Sequence, residues 1–256
     1  MTDERSIELE VEVTGTPEEV WAAIATGPGI SSWYVPHRIE EIEGGDASAS
    51  FGPGMDVAGR VTGWEPPYRF AYQGVEGGPQ LAFEWFVESR EGGVCTVRLV
   101  NSGFGTGTEW DDHFDAMTEG WRTFMLNLQL HLAEFRGRPA VASLPMGSWE
   151  VDSPTDAWTK VAATFGFDPE LAVGDAIELT SSKATRVVGT VRARSANRIS
   201  FVTTEPAEGT GFVTAEGSNS PVSVSVWLYL YGNDAAAKAD DHYREWTEAL
   251  ARSTGG

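Results

Sequence analysis

The sequence offers few residues for proton-transfer or metal chemistry, and its histidines are His37, His113, His131 and His242. Asp111-Asp112-His113, followed by Asp115, forms the one local cluster of acids and histidine, and Asp240-Asp241-His242 repeats it. Aspartate and histidine ligate divalent cations, but adjacent side chains on a helix point apart. Aspartates near a helix N-terminus serve instead as caps and first-turn anions. We therefore expect capping at both clusters and no metal site.

Nucleophile and acid–base motifs do not stand out in this chain. Residues 102–105 (Ser-Gly-Phe-Gly) are glycine-rich, but the turn pattern of a dinucleotide or phosphate loop is missing. We expect a flexible connection between a strand and a helix there. Glu40, Glu41 and Glu43 could act as an acid–base pair only if two of them faced inward. Periodicity gives no such orientation, so we expect a solvated surface, and we assign neither a catalytic residue nor a cofactor.

The most conspicuous side chains are aromatic. Large aromatics dominate packed cores, and they also line hydrophobic ligand pockets. The sequence does not separate a filled core from a hollow one, so both interpretations stay open. If the first half of the chain keeps a cavity, the candidate ligand-binding residues are Trp33, Trp64, Tyr72, Phe83, Trp85, Trp110, Trp121 and Phe124.

An antiparallel sheet and a long helix are needed to bring these side chains together. Ile7–Val13 alternates apolar and acidic residues, as a half-buried strand does. Thr16-Pro17-Glu18-Glu19 then has the pattern of a helix start with a capping box. Residues 38–101 contain several alternating segments separated by turns, which predicts strands with one apolar face. The segment from about Asp112 to Phe135 carries apolar residues at helical spacing and is predicted to cover that face.

The same landmarks occur twice in the same order. Residues 16–21 (TPEEVW) correspond to residues 153–158 (SPTDAW), and residues 111–114 (DDHF) correspond to residues 240–243 (DDHY). Matched landmarks at matched places indicate a duplication. We therefore predict two domains, residues 1–138 and residues 146–256. The segment Arg136–Pro145, which shows no clear period, is the expected exposed linker.

Five short motifs in the first half suggest a family. In order, they are TPEEVW at 16–21, Ser-Trp-Tyr at 32–34, Glu-Pro-Pro-Tyr-Arg at 65–69, Thr-Val-Arg-Leu at 96–99 and Glu-Gly-Trp at 119–121. Together they closely resemble the bacterial heat-shock-protein-90 ATPase activator-like family of the START-like (SRPBCC) superfamily. The second half keeps Pro154 and Trp158 but lacks the Glu-Pro-Pro and Gly-Trp motifs, so it resembles a diverged copy.

The resemblance implies an α+β fold with two helix-grip (START-like) lobes, each a curved antiparallel sheet covered by a C-terminal helix. In that superfamily the cavity between sheet and helix commonly holds hydrophobic ligands. Some relatives are cyclases or other enzymes, and the eukaryotic namesake stimulates a chaperone ATPase. The leading expectation is non-catalytic binding of a small hydrophobic molecule. The alternatives are a protein-interaction module of the chaperone-activator kind and a cyclase-like enzyme acting on a polyketide-type substrate.

The charge and the single cysteine limit the partners further. The formal net charge of −20 repels phosphate backbones and anionic lipids, so we expect neither nucleic-acid nor membrane binding. Cys95 cannot form an intrachain disulfide, and a buried thiol suits a reducing compartment. No secretory signal or long apolar stretch is visible. We expect a cytoplasmic monomer whose lobes form an internal pseudo-dimer, with a small hydrophobic molecule or a chaperone as partner.

Overall fold

The computed structural model describes residues 5–75, 81–105, 108–182, 184–217 and 220–252. The chain divides into two compact units, Met1–Pro139 and Ala140–Gly256. Within the described ranges each unit has its own antiparallel sheet, and neither sheet mixes strands from both halves of the chain. The two-lobed α+β fold expected from the sequence is confirmed.

The first unit is an antiparallel meander with one extra strand. Its strands are β1 (Arg5–Thr14), β2 (His37–Ile39), β3 (Asp46–Ser50), β4 (Asp56–Glu65), β5 (Arg69–Gly74), β6 (Ala82–Arg90) and β7 (Val94–Phe104). Its helices are α1 (Pro17–Ala25), α2 (Gly27–Ile30) and α3 (Thr108–Glu134). The strand order is β1-β7-β6-β5-β4-β3-β2, so β2 to β7 follow each other and β1 lies beside β7.

The second unit repeats this order of elements. Its strands are β8 (Val141–Ser143), β9 (Met146–Trp149), β10 (Ala176–Ser181), β11 (Ala184–Ser195), β12 (Arg198–Glu205), β13 (Gly209–Glu216) and β14 (Val222–Leu230). Its helices are α4 (Pro154–Phe165) and α5 (Ala235–Arg252). The strand order is β10-β11-β12-β13-β14-β8, and β9 also pairs with β14. Strands β8 and β9 therefore occupy the place that β1 has beside β7.

The first helix of each unit begins with the same chemistry. Thr16 Oγ1 accepts a hydrogen bond from the Glu19 N–H at 3.3 Å, and Glu19 Oε2 accepts one from the Thr16 N–H at 2.9 Å. This reciprocal pair is the capping box expected from the sequence. In the second unit the Ser153 hydroxyl accepts from the Asp156 N–H at 3.1 Å. Both helices carry proline in their first turn, so the predicted helix starts are confirmed.

Helix α3 covers the apolar face of the first sheet, as its periodicity predicted. Trp121, Met125, Leu128 and Leu132 are buried on the helix, and Trp85 is buried on the sheet. None of the helices in the described ranges combines the length and hydropathy needed to cross a membrane.

Three local expectations were wrong. Residues 141–143 of the expected linker form β8, whose Val141 pairs with Leu230 of β14. Residues 102–104 of the expected flexible connection belong to β7. Helix α5 begins at Ala235, well before Asp240, because the preceding alanines are strong helix formers and extend the helix upstream of that aspartate.

Asp111 was expected to cap the long helix, but α3 begins at Thr108, before this residue. The Asp111 carboxylate instead forms an ion pair with Arg5 on β1. The side chains of Asp112 and His113 lie outside the described part of the structure. N-capping therefore does not explain Asp111 or Asp240, although Asp111 lies in the first turn of α3.

Candidate functional site

A cavity of about 210 Å³ lies in the first unit, with sheet residues and Met117 of helix α3 among its walls. Its larger side chains are Tyr34, Phe51, Tyr72, Leu81, Phe83 and Met117. An apolar cavity of about 150 Å³ in another protein holds benzene, whereas pockets for drug-sized ligands begin near 300 Å³. The space therefore suits a molecule of one or two fused rings.

The space exists because three neighbouring strands carry small residues at one level of the sheet. Ala47 on β3 pairs with Gly59 on β4, and Gly59 pairs with Gly74 on β5. All three residues line the cavity. Side chains normally stand perpendicular to a sheet and fill the space above it. A Cβ atom at Gly59 would meet the carbonyl oxygen of Gln73 at 2.9 Å, so a larger residue does not fit there, and the three small residues leave the cavity beside them unfilled.

Aromatic contacts build the rest of the wall. The Tyr34 ring lies 4.5 Å from the Phe124 ring and 4.7 Å from the Trp121 ring, centroid to centroid. The Tyr72 and Phe83 rings stack at 4.8 Å with an angle of 22° between their planes. Because aromatic pairs at these distances add to the energy of burial, the wall is a packed surface rather than a loose collection of side chains.

His37 contacts two tyrosines of the cavity lining but does not itself line the cavity. Its Nδ1 lies 2.7 Å from the carbonyl oxygen of Val35, and its Nε2 lies 3.3 Å from the hydroxyl of Tyr72. A carbonyl oxygen can only accept, so Nδ1 carries the proton. The neutral ring then accepts the Tyr72 hydrogen at Nε2.

Burial sets the protonation of these groups. Desolvation lowers the pKa of His37 to about 4, although the Val35 carbonyl opposes this shift. Desolvation raises the pKa values of the Tyr34 and Tyr72 hydroxyls above their usual value. At neutral pH the imidazole and both phenols are therefore uncharged.

Sequence comparison assigns the first unit. Residues 14–133 match the family described as "Activator of Hsp90 ATPase homolog 1-like protein". The first unit is similar to this family. No curated protein matches the chain.

Several solved structures are similar to parts of the chain or to most of it. The Aha1 dimer from Colwellia psychrerythraea is 20% identical with a TM-score of 0.45, and the match covers 52% of this chain and 99% of that one. An HSP90 activator from Plasmodium falciparum is 15% identical with a TM-score of 0.42, covering 50% and 96%. DynU16, a protein in the dynemicin biosynthetic locus, is 18% identical with a TM-score of 0.45, covering 97% and 96%.

Of the eight aromatic residues proposed from the sequence, Tyr72 and Phe83 line the cavity of the activator-like unit. Phe124 and Trp121 pack against Tyr34 at the back of its wall. Trp121 is also anchored, because its Nε1 donates to Asn101 Oδ1 at 3.1 Å. These residues are thus gathered at one place, and ligand binding by any of them stays a prediction.

The other four proposed residues lie away from the cavity lining. Trp33 and Trp85 are fully buried and contact each other with ring centroids 5.5 Å apart. Trp64 packs on Trp21 at 5.0 Å, and Trp110 packs on Phe104 at 6.4 Å. For these four residues the structure shows packing within the unit.

Sequence reasoning did not propose several lining residues, chiefly Tyr34, Phe51, Leu81 and Met117. Tyr34 belongs to the Ser-Trp-Tyr motif at residues 32–34, but only Trp33 of this motif was proposed as a pocket residue. The stronger signal was the small-residue segment Ala47-Ser48-Ala49 on β3, whose buried residues Ala47 and Ala49 have too little volume to fill a core. A strand of small residues that faces large aromatic side chains indicates an internal cavity.

The remaining histidines that the structure describes, His131 and His242, are buried. Nδ1 of His242 lies 2.7 Å from the Ser143 hydroxyl, and burial lowers the pKa of His242 to about 3. Burial also lowers the pKa of His131, to about 4. Among the described residues, no group of three or more His, Cys, Asp or Glu side chains is arranged to hold a metal ion.

Proposed function

We propose that the activator-like unit binds a small hydrophobic molecule in the cavity between Tyr34, Phe83 and Met117, without chemical change to the ligand. The observation that carries the proposal is the empty row Ala47–Gly59–Gly74 beneath an aromatic wall. A core normally fills such space, because unfilled volume costs packing energy. A retained apolar cavity of about 210 Å³ can hold a molecule of one or two fused rings, which supports a ligand site.

The titratable groups at the cavity favour binding over catalysis. General acid–base catalysis works best when the pKa of the group is near the working pH. His37 has its pKa lowered to about 4, and Tyr72 has its pKa raised well above its usual value. Neither group exchanges a proton readily at neutral pH, so the cyclase-like alternative has less support.

Filling the cavity provides the test. Ala47 is buried and pairs with Gly59, so the side chain of an Ala47→Leu variant would enter the hollow. Each buried CH₂ contributes about 0.8 kcal/mol, so the variant should fold with equal or greater stability. Equilibrium dialysis with naphthalene should show binding to the wild-type protein and a loss of at least about tenfold in the variant, since the ligand and the new side chain need the same volume.

Ala133→Leu is the matched control. Ala133 lies on helix α3 of the same unit and is exposed, so this variant adds the same atoms without entering the cavity. It should bind naphthalene like the wild type. Equal binding by all three proteins would place naphthalene elsewhere and refute the cavity as the binding site.

The family match supports a second candidate, a protein-interaction module that stimulates a chaperone ATPase. Exposed apolar side chains on the first unit include Ile42, Met55 and Tyr68. The test is the ATPase rate of a purified Hsp90 with and without the protein. Stimulation that survives Ala47→Leu would establish this activity independently of the cavity.

We also keep the proposal of a cytoplasmic location, which the buried free thiol of Cys95 supports.

A further inference from the structure

Two tyrosine rings contact one histidine ring beside the cavity. The His37 ring lies 5.3 Å from the Tyr34 ring and 5.9 Å from the Tyr72 ring, centroid to centroid. Tyr34 and Tyr72 both line the cavity. A single small ligand in the cavity therefore has both phenols within its lining.

The hydrogen-bonding roles of the two hydroxyls differ. Tyr72 gives its hydrogen to Nε2 of His37, so its oxygen keeps free lone pairs and can accept. Tyr34 is only 4% exposed, and its hydroxyl has no hydrogen-bond partner among the described residues. A buried hydroxyl without a partner is costly. The cavity lining therefore includes one phenol free to donate and one free to accept, in addition to the Ser48 side chain.

The charge of the site excludes an anionic ligand. None of the described residues that line the cavity is cationic, and His37 is neutral at physiological pH because burial lowers its pKa to about 4. A buried carboxylate without a counter-charge is strongly disfavoured. The chain's net charge of −20 adds a long-range repulsion.

We propose that the cavity takes a neutral, compact, apolar ligand that carries one hydroxyl group, and that Tyr34 and Tyr72 bind this hydroxyl. The ligand oxygen accepts a hydrogen bond from Tyr34, and the ligand hydrogen is donated to the oxygen of Tyr72. Tyr34 then donates a hydrogen that no described protein group accepts, and Tyr72 accepts with lone pairs that the protein leaves free. The inference rests on the proposed function, because it names the class of ligand for the same cavity.

Three probes of similar size separate the contributions of the apolar rings, the hydroxyl group and a negative charge: naphthalene, 2-naphthol and 2-naphthoate. Their dissociation constants are measured by equilibrium dialysis at pH 7.5 for the wild-type protein and for Tyr34→Phe. The readout is the preference, meaning the affinity for 2-naphthol divided by that for naphthalene. One neutral hydrogen bond changes affinity by about three- to tenfold. The preference should fall by about that factor in Tyr34→Phe, while naphthalene binding stays within about twofold.

Tyr68→Phe and Tyr72→Phe complete the set. Tyr68 is 60% exposed and does not line the cavity, so its variant should keep the wild-type preference. Tyr72→Phe removes the acceptor and should also lower the preference. This second variant keeps the test decisive if Tyr34→Phe fails to fold, which circular dichroism would reveal.

The outcomes separate the two proposals. An unchanged preference in a folded Tyr34→Phe or Tyr72→Phe variant, with naphthalene still bound, overturns hydroxyl recognition and leaves the apolar site standing. Binding of 2-naphthoate as tight as that of 2-naphthol overturns the neutral-ligand conclusion. Failure of the wild-type protein to bind naphthalene or 2-naphthol overturns the proposed function and this inference together.

Discussion

Nε2 of His37 lies 3.3 Å from the hydroxyl oxygen of Tyr72, and this contact joins the short strand β2 to the centre of the first sheet. The Val35 carbonyl on the other side of the ring fixes the tautomer. A histidine held in this way is a neutral acceptor. It orients the Tyr72 hydroxyl and is not a site of proton exchange at neutral pH.

The first prediction concerns the titration of His37. Burial lowers its folded pKa to about 4 from an ordinary value of 6.5. The unfolded chain therefore binds the proton first as the pH falls. The contribution of His37 to stability is present above about pH 6.5, declines below it and is fully lost near pH 4. The histidine ring-proton signals in NMR, assigned with a His37→Asn variant, should show a midpoint near 4. A midpoint near 6.5 would mean that the ring is solvated.

The second prediction compares two phenylalanines on neighbouring strands. Phe70 is fully buried, whereas Phe83 is half-buried at the cavity. Phe70→Ala should lower the free energy of unfolding by about 3–5 kcal/mol, as a core truncation does. Phe83→Ala should cost less, because fewer contacts are lost beside an existing hollow. Urea denaturation followed by tryptophan fluorescence measures both. Equal losses in the two variants would show that Phe83 is ordinary core.

The third prediction concerns the boundary between the units. Residues 136–139 are exposed, and the chain divides after Pro139. We expect limited trypsin digestion to cut first after Arg136, because the bond after Arg138 precedes a proline. Exposed backbone outside a sheet is the preferred site of proteolysis. A first cut inside either sheet would argue against two independently folded units.

A matched variant sharpens the proteolysis experiment. Arg136 Nη1 lies 2.9 Å from Glu19 Oε2, which ties this segment to helix α1. Glu19→Gln removes the ion pair and keeps a side chain that can still accept from Thr16. The cut after Arg136 should become faster in this variant, and mass spectrometry of the fragments should show the same site. An unchanged rate would show that the ion pair does not protect the segment.

The sequence was sufficient for the order of elements and for both helix starts. Thr16-Pro17 and Ser153-Pro154 are local signals, because a cap acts on the N–H groups of its own first turn. The sequence was insufficient for the start of α5. Ala235 and its neighbours have no periodic pattern to mark them, and only their helix propensity extends the helix.

The sequence predicted only part of the candidate site. Tyr72 and Phe83 were proposed because their strands alternate clearly. The cavity itself depends on the pairing of Ala47 with Gly59 and of Gly59 with Gly74. Register between strands is a property of the whole sheet, so the row of small residues becomes visible only when the strands are paired. Trp85 lies on the same alternating strand as Phe83, and Trp33 stands in a family motif, but in the structure both tryptophans are fully buried.

The central claim is that a small apolar molecule occupies the cavity of the first unit. The most direct measurement is a ¹³C-edited NOE experiment on the protein saturated with naphthalene, with methyl-labelled methionine, leucine and alanine. The claim predicts NOEs from ligand protons to the methyl groups of Met117, Leu81 and Ala47, and their loss in Ala47→Leu. NOEs only to the exposed methyl group of Met55, or no NOEs at saturating ligand, would contradict it.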